Sequence, residues 1–364
     1  MNVCWISRFP LSERDGKPYS VHAAVRLRTL IPIEAMRANG VFANIATIDE
    51  QWQLRDVEAV EGCQVAVFDQ LYPFGGEQLD VSGVAILELI ARLRLLEIKT
   101  VADIHDDHFG LPGRSEYFHR LVQAVDAVVV NSPEMKRIVA AHTSGRIEVI
   151  GDPFEGPHGE PMFQPQVRRD PMQRLLRRFL PLRNAPRLKL AWFGHPTNVG
   201  AVYGLMPQLL PMAREIPITL TLVSAAESGI EEWCELFNFR HGRICRIVFV
   251  PWSLADTWKV LGDCDICVLP VDVANASKSA KSANRLVEAL RAGRFVVASP
   301  LPAYQEFVAS ARIDDNIDQG IQWALDHAAE VAERIRTGQA AVDEKYSPAA
   351  IARQWQQVMA ALID

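Results

Sequence analysis

The densest group of ionisable side chains is the segment Asp103-Ile-His-Asp-Asp-His-Phe109. It begins within the last residues of the apolar run Thr100–Ile104, which has the length and composition of a buried strand, and continues into the loop that follows. Carboxylates and imidazoles at a strand end could position the hydroxyl groups of a substrate or ligate a divalent cation, and His108 could equally be a surface residue. We interpret the segment as part of a functional cleft. Its candidates are His105, Asp106 and Asp107 for the chemistry and Asp103 for binding.

A second segment, Lys278 to Pro300, places cations at the predicted start of a helix. The N-terminus of a helix presents unpaired N–H groups and the positive end of the helix dipole, both of which favour phosphate. Glu288 follows one turn later, where a carboxylate could accept hydrogen bonds from a ribose diol. A solvated basic helix start, with Glu288 paired to a neighbouring arginine, is the alternative. The candidates in this segment are Lys278, Lys281, Ser282, Asn284, Arg285 and Glu288.

Three further loops follow predicted strands. The turn after Leu188–Phe193 is rich in small residues and offers backbone and side-chain donors, although it could be an ordinary loop with Asn198 at a helix cap. The turn after Ile247–Val250 and the long loop after Asn2–Ile6 carry weaker candidates, because an indole is often buried for packing and surface arginines are often solvated or paired. The candidates are Gly194, Thr197 and Asn198; Pro251, Trp252 and Ser253; and Ser20, His22 and Arg26.

Two other patterns have simpler explanations. Cys264-Asp-Ile-Cys267 has the spacing of a redox pair but lies in an apolar strand, which favours buried thiols. The basic run from Arg168 to Arg178 alternates with leucines, as in a helix on a membrane surface, although a helix docked on a domain junction explains it as well.

The elements that carry these loops alternate between short apolar runs and helical patterns. This alternation stops at Gly151 and restarts at Leu188. Near-continuous apolar strands separated by helices predict parallel sheets covered on both faces, and such sheets bind ligands at the carboxyl ends of their strands. We therefore predict an α/β protein of two Rossmann-like domains, 1–165 and 187–345, joined by a connector, 166–186.

Composition fits a globular protein with full cores, since 49% of its 364 residues are hydrophobic and 23% are charged. A net charge of −6 argues against nucleic acid as the main partner. The sequence shows neither a secretory signal nor an apolar stretch of membrane-spanning length, and its six cysteines form no disulfide framework. We expect a cytoplasmic protein with reduced thiols.

The second segment also resembles a known family. Lys281-Ser-Ala-Asn-Arg285, Glu288-Ala-Leu290 and Gly293-Arg-Phe-Val-Val-Ala-Ser299 resemble the donor-site block of GT-B glycosyltransferases of family 4. That block carries two glutamates separated by seven residues. Glu288 matches the second glutamate, which in the family holds the donor ribose, whereas the first falls on Ala280. The chain is therefore a divergent relative, and whether the loss at Ala280 abolishes catalysis stays open.

The resemblance implies two Rossmann-like domains facing a cleft, with the C-terminal helix 346–364 completing the first domain. It implies metal-independent transfer, with retention of configuration, from a nucleotide-diphosphate sugar that serves as co-substrate, and no cofactor. Lys281 and Arg285 would stabilise the leaving diphosphate, while His105 and the Asp106/Asp107 pair would position the substrate. The first domain (1–165) would be the acceptor side and the second (187–345) would bind the donor. The resemblance also assigns roles to the loop candidates: beside the donor diphosphate, Gly194, Thr197 and Asn198; beside the nucleotide base, Pro251, Trp252 and Ser253; and on the acceptor side, Asp103, Ser20, His22 and Arg26. The acceptor could be a carbohydrate, a lipid-linked molecule or another compound, so contact with the inner membrane surface is compatible with this interpretation.

Two alternatives remain. A nucleotide-sugar epimerase of the same architecture would act on the donor with no acceptor. A non-catalytic, glycosyltransferase-like binding subunit would bind ligand without turnover, and the alanine at position 280 keeps this possibility open. A dinucleotide oxidoreductase is disfavoured, because neither half carries G-x-G-x-x-G after its first strand.

Overall fold

The computed structural model describes all residues except 9–10, 50–51, 56, 70, 72–80, 166–185, 228 and 274. The chain forms two compact units. The first unit comprises Met1–Glu155, Ser279–Asn284 and Glu344–Asp364, and the second comprises Gly156–Lys278 and Arg285–Asp343. The predicted connector 166–186, with its basic run, lies outside the described residues except for Pro186.

The first unit is built on a six-stranded sheet whose paired strands are all parallel. Its order is β4-β1-β5-β6-β7-β8, and β2 and β3 form a separate hairpin. The strands are β1 (Asn2–Ser7), β2 (Ser12–Arg14), β3 (Lys17–Tyr19), β4 (Phe42–Thr47), β5 (Val65–Asp69), β6 (Lys99–Ile104), β7 (Ala127–Val130) and β8 (Arg146–Val149). The α-helices are α1 (Ile31–Ala38), α2 (Val57–Glu61), α3 (Val81–Leu95), α4 (Ser115–Ala124) and α5 (Pro133–Ala140), and a π-helical segment, Val25–Leu30, precedes α1.

Both faces of this sheet are buried, as the apolar strand runs predict. In β1, Val3 and Trp5 belong to one apolar cluster, while Cys4 and Ile6 belong to the cluster on the opposite face. This alternation follows from the two-residue period of a strand. A strand covered on both sides needs apolar residues at every position, and for this reason β1 is continuously apolar.

The hairpin was not predicted from the sequence, which we interpreted as a long loop with a single glycine. Asp15 and Gly16 both have positive φ, 52° and 73°. Two consecutive residues of this kind make the tight turn that joins twisted antiparallel strands, and Asp-Gly is a preferred pair for it. The turn chemistry was present in the sequence, but the strands are only three residues each and carry no apolar alternation.

The second unit contains another six-stranded sheet of parallel strand pairs, with the order β11-β10-β9-β12-β13-β14. The strands are β9 (Leu188–Phe193), β10 (Ile218–Ser224), β11 (Cys245–Pro251), β12 (Ile266–Leu269), β13 (Phe295–Ala298) and β14 (Arg312–Ile313). The α-helices that lie wholly or mainly in this unit are α6 (Val199–Glu215), α7 (Ile230–His241), α8 (Leu254–Asp263), α9 (Ala276–Ser279), α10 (Asn284–Arg291), α11 (Ile317–Asp326) and α12 (Ala328–Tyr346). The predicted fold class, two Rossmann-like parallel-sheet units, is confirmed.

All six cysteines are buried free thiols. Burial raises the pKa of Cys245 to about 11 and that of Cys264 to about 12. At neutral pH these thiols are therefore protonated and poor nucleophiles. Among the described helices, none combines the length and apolarity needed to cross a bilayer.

The last helix, α13 (Pro348–Ile363), packs on the first sheet. Ser347 caps its N-terminus, where the hydroxyl accepts a hydrogen bond from the Ala350 N–H at 3.3 Å. The Trp355 indole is fully buried and meets Trp5 edge-on, with ring centroids 5.4 Å apart. Edge-to-face aromatic pairs add to the stabilisation from buried area.

We expect Trp355→Ala to lower the free energy of unfolding of the first unit by about 3–5 kcal/mol, because a buried indole is removed and a cavity remains. Urea denaturation followed by far-UV circular dichroism measures the change. Gln357→Ala, on the exposed side of the same helix, is the control and should change stability by less than about 0.5 kcal/mol. Equal effects of the two substitutions would contradict the packing described here.

Candidate functional site

In the first unit, the predicted site residues gather where β5 and β6 end. His105, Asp106 and Asp107 follow β6 directly. The side-chain amide of Asn131, just after β7, donates to the His105 carbonyl at 3.1 Å. The Asp107 carboxylate accepts from the Phe109 N–H at 3.0 Å and so closes the next turn. Backbone and side-chain hydrogen bonds therefore hold the loop in place.

Beneath this loop lies a buried charged group formed by Arg28, Asp103 and Asp152. Arg28 Nε and Nη2 donate to the two oxygens of Asp103 at 2.9 and 2.6 Å, and Arg28 Nη1 lies 3.2 Å from Asp152 Oδ1. Nη1 also donates to the Ile150 carbonyl at 2.6 Å. Burial lowers the pKa of the Arg28 guanidinium, but Asp103 and Asp152 raise it by more, so the group stays charged. Asp103, a predicted acceptor-side residue, is thus covered and paired with Arg28.

The acceptor-side candidates on the first loop also have structural contacts. Arg26 binds both oxygens of Glu155 at 2.9 Å and donates to the Ser20 and Val21 carbonyls. Ser20 is buried, and its hydroxyl accepts from the His22 N–H at 3.2 Å, while the His22 side chain is exposed. Of these three predicted residues, only His22 is placed at the surface.

Lys281 was predicted to lie with Lys278 and Arg285 at a phosphate site. In the structure it belongs to the first unit, where its ammonium pairs with Asp106. Burial alone would raise the pKa of Asp106, but His105 and Lys281 together lower it below its usual value. Ser282, in the same segment, donates to Asp152.

Asp69, at the end of β5, was not singled out from the sequence. Its carboxylate, that of Asp103 and a ring nitrogen of His105 lie within 4.8 Å of one another. Burial raises the pKa of Asp69, and His105 opposes that shift. These residue types could hold a cation, but the Arg28 guanidinium already binds both oxygens of Asp103. Its positive charge beside the group would oppose a second cation, so the chemistry of the donor set does not fit a metal.

His108 packs beneath the loop, only 7% exposed, with its ring 5.0 Å from that of Phe118. Burial lowers the pKa of His108 to about 4, opposed by Asp106 and reinforced by Arg114, His105 and Lys281. The surface position considered for His108 is therefore wrong, because its ring packs against the aromatic residues of α4.

In the second unit, Gly194 and Arg285 meet at the end of β9. A Cβ placed at Gly194 would lie 3.1 Å from the Trp192 ring and 3.4 Å from Arg285 Nη1. The guanidinium lies over the Trp192 indole, with its central carbon 6.0 Å from the ring centroid. Arg285 Nη1 is buried and has no hydrogen-bond partner among the described residues. A buried cationic N–H without an acceptor favours an anionic ligand.

The neighbouring loops bring further polar groups to the same sheet edge. The Lys278 ammonium donates to the Asn198 side-chain oxygen. The His195 ring accepts from the Thr197 N–H at 3.3 Å, and the Ser224 hydroxyl donates to the Gly194 carbonyl at 2.9 Å. Ser224, at the end of β10, was not predicted, because a serine at the end of an apolar strand carries no distinguishing signal.

Glu288 is only 6% exposed and accepts a hydrogen bond from the Gly156 N–H at 3.0 Å. A Cβ at Gly156 would lie 2.5 Å from this carboxylate and 2.7 Å from Trp258 Nε1. Glycine is therefore required for the backbone to approach so closely. Neither Gly156 nor Trp258 was predicted, since each is distant in sequence from Glu288.

The predicted base-contact turn has a structural role at Ser253. Its hydroxyl accepts from the Asp256 N–H at 3.0 Å and caps α8. Trp252 is half-buried, with its N–H bound to the Ser224 carbonyl at 2.8 Å, and Pro251 is exposed. The turn therefore lies at the same sheet edge as Gly194.

Several solved glycosyltransferases share this fold. HepE from Anabaena, in complex with UDP, matches with a TM-score of 0.67 and 14% identity over 99% of this chain and 100% of that one. A glycosyltransferase from Rickettsia africae matches with a TM-score of 0.64 and 10% identity over 100% of this chain and 99% of that one. The catalytic domain of starch synthase IV from Arabidopsis thaliana, bound to ADP and acarbose, matches with a TM-score of 0.62 and 10% identity over 100% of this chain and 99% of that one. No family model and no curated protein sequence matches the chain. The fold is that of the GT-B glycosyltransferases.

We expect Arg28→Met to lower the free energy of unfolding by about 3–5 kcal/mol, because Asp103 would be left buried without its partner. Chemical denaturation measures the change. Arg120→Met, which breaks an exposed ion pair with Glu116, is the matched control and should cost no more than about 1 kcal/mol. A loss of similar size in both variants would show that the buried group is unimportant to the fold.

We also expect acid to destabilise the protein through His108. Its pKa is about 4 when folded and about 6.5 when unfolded, so the unfolded chain binds the additional proton between these values. The free energy of unfolding therefore falls as pH drops from 7 to 5, by about 2 kcal/mol from this residue. Chemical denaturation of the wild type and of His108→Asn at both pH values measures the contribution of His108 to this change. His22→Asn, an exposed histidine, should behave as the wild type; an unchanged pH dependence in His108→Asn would contradict the assignment.

Proposed function

We propose that this protein is a glycosyltransferase that moves a sugar from a nucleotide-diphosphate sugar to a hydroxyl-bearing acceptor. The observation that carries the proposal is the buried, unpartnered Nη1 of Arg285 beside Gly194, with Lys278 and Asn198 at the same sheet edge. Glycine allows a ligand to approach the backbone closely, and the cations supply charge complementary to a diphosphate. GT-B enzymes of known structure, including HepE with UDP-glucose, support the same reaction class.

In this proposal the second unit binds the donor. Breaking the bond between the sugar and the diphosphate develops negative charge on the leaving group, which Lys278 and Arg285 would stabilise. Preorganised charge of this kind is usually the largest contribution to catalysis. Glu288 would accept hydrogen bonds from the ribose hydroxyls, as the resemblance to family 4 implies. The turn at Pro251, Trp252 and Ser253 would lie beside the nucleotide base.

The first unit would bind the acceptor near His105, Asp106 and Asp107, with His22 at the rim. The resemblance to family 4 favours retention of configuration without a metal. It also favours a hexose donor and a role in surface polysaccharide or glycoconjugate synthesis in the cytoplasm, at the inner membrane surface if the acceptor is lipid-linked.

The first experiment measures thermal stability and nucleotide release with a panel of nucleotide sugars, beginning with UDP-glucose. A donor at a hundredfold excess over its Kd should stabilise the protein by about 2.7 kcal/mol. Arg285→Met and Glu288→Gln should reduce this shift, since each removes a proposed contact, whereas Arg240→Met and Glu235→Gln, on exposed positions of α7, should leave it unchanged.

The outcomes separate the candidate functions. A stability shift with slow nucleotide diphosphate release supports the transferase and identifies its donor. A shift without release, even with a panel of acceptors, favours a binding subunit, and conversion of the donor to an epimer favours an epimerase. No shift with any donor would overturn the donor site.

A further inference from the structure

Lys281 lies in a short segment, Ser279–Asn284, that packs with the first unit although its neighbours in sequence, Lys278 and Arg285, belong to the second. The three cations are close together in sequence, and from the sequence alone they resemble one phosphate-binding group. Their membership of different compact units requires a separate explanation for Lys281.

Two anchors fix the backbone on either side of Lys281. Ala280 is 1% exposed and belongs to the apolar cluster beneath β6 and α4, and its carbonyl accepts from the buried Ser132 hydroxyl at 2.8 Å. Ser282 donates to Asp152, which in turn binds Arg28. A glutamate at position 280 would place a charge in this apolar cluster, so an uncharged residue is required there.

The anchored side chain points to the loop after β6. The Lys281 ammonium pairs with Asp106, and both side chains are accessible, 47% and 35% exposed. Two further titratable groups, His105 and His108, interact with Asp106. The pair thus lies at the surface of the first unit.

The charges of the pair decide which ligand it suits. An ammonium and a carboxylate together have no net charge. The carboxylate would also repel a phosphate brought to the same place. The ammonium has three N–H groups, one of which binds Asp106, and a carboxylate accepts several hydrogen bonds. Donors and acceptors side by side match sugar hydroxyls, which both donate and accept.

We propose that Lys281 and Asp106, with His105 beside them, form a hydroxyl-binding site for a carbohydrate acceptor, and that Lys281 does not bind the donor diphosphate. This inference rests on the proposed function and deepens it, because it names the acceptor class and reassigns a residue that sequence reasoning placed at the phosphates. Lys281 then determines acceptor binding, while Lys278 and Arg285 determine donor binding.

The first test is UDP affinity measured by isothermal titration calorimetry. Lys281→Gln should change the Kd by less than about threefold, whereas Arg285→Gln should weaken binding at least tenfold, since only the latter removes a cation from the anion site. Lys136→Gln, on an exposed position of α5, is the control for a lost surface charge. Weakening by Lys281→Gln that equals that of Arg285→Gln overturns the inference. If the wild type binds no nucleoside diphosphate at all, the proposed function fails instead.

The second test probes the hydroxyl site with glucose, galactose, mannose and N-acetylglucosamine, each with saturating UDP, by saturation-transfer difference NMR. We expect a signal for at least one sugar that falls severalfold in Lys281→Gln and Asp106→Asn but not in Lys136→Gln. The charge swap Lys281→Asp with Asp106→Lys should recover part of it, which separates lost recognition from lost folding. A signal insensitive to these substitutions, or absent for every sugar in the wild type, overturns the site.

Discussion

The ion pair between Arg28 and Asp103 is the constraint on which the first unit depends. A buried charge is tolerated only when it is paired and its hydrogen bonds are satisfied. Arg28 meets this condition by binding Asp103 with two nitrogens and by directing the third to Asp152 and to backbone carbonyls of the segment after β8. It also lies over the Trp355 ring, 5.8 Å from the centroid, so that the last helix covers it. Loss of one of these partners would leave the Arg28 guanidinium exposed or without its full set of hydrogen bonds.

The same group positions the residues that we propose to bind the acceptor. Asp103 is the penultimate residue of β6, so its bond to Arg28 fixes the strand end from which His105 and Asp106 project. Asp152 holds Ser282, and through it the segment that carries Lys281. The polar side chains at the surface of the first unit are thus supported by charges beneath them. Support of this kind reduces the movement of binding groups, which is the usual requirement for a precise site.

The second unit uses a different arrangement at its strand ends. Here the half-buried guanidinium of Arg285 lies against the Trp192 ring and beside a glycine, with Tyr304 as a further neighbour. An aromatic face accommodates a cation without neutralising it. The cation therefore keeps its charge for a ligand, whereas the Lys281 ammonium on the first unit is compensated by Asp106. In our proposal the two strand-end regions therefore suit ligands of different chemistry.

Sequence alone determined the fold class, because strands such as β1 and β9, apolar at nearly every position, can be buried only in sheets covered on both faces. It also located the loops, since parallel strands direct their carboxyl ends to one edge and Gly194, His105 and Lys278 each follow such a strand. It did not determine which of these residues meet one another. Asp69, Asp152, Gly156 and Ser224 gave no local signal, and Lys281 was grouped with the cations nearest to it in sequence. Only the tertiary structure pairs Lys281 with Asp106 and buries Asp103 and His108, because pairing and burial depend on residues far apart in sequence, such as Asp106 and Lys281, which are 175 positions apart.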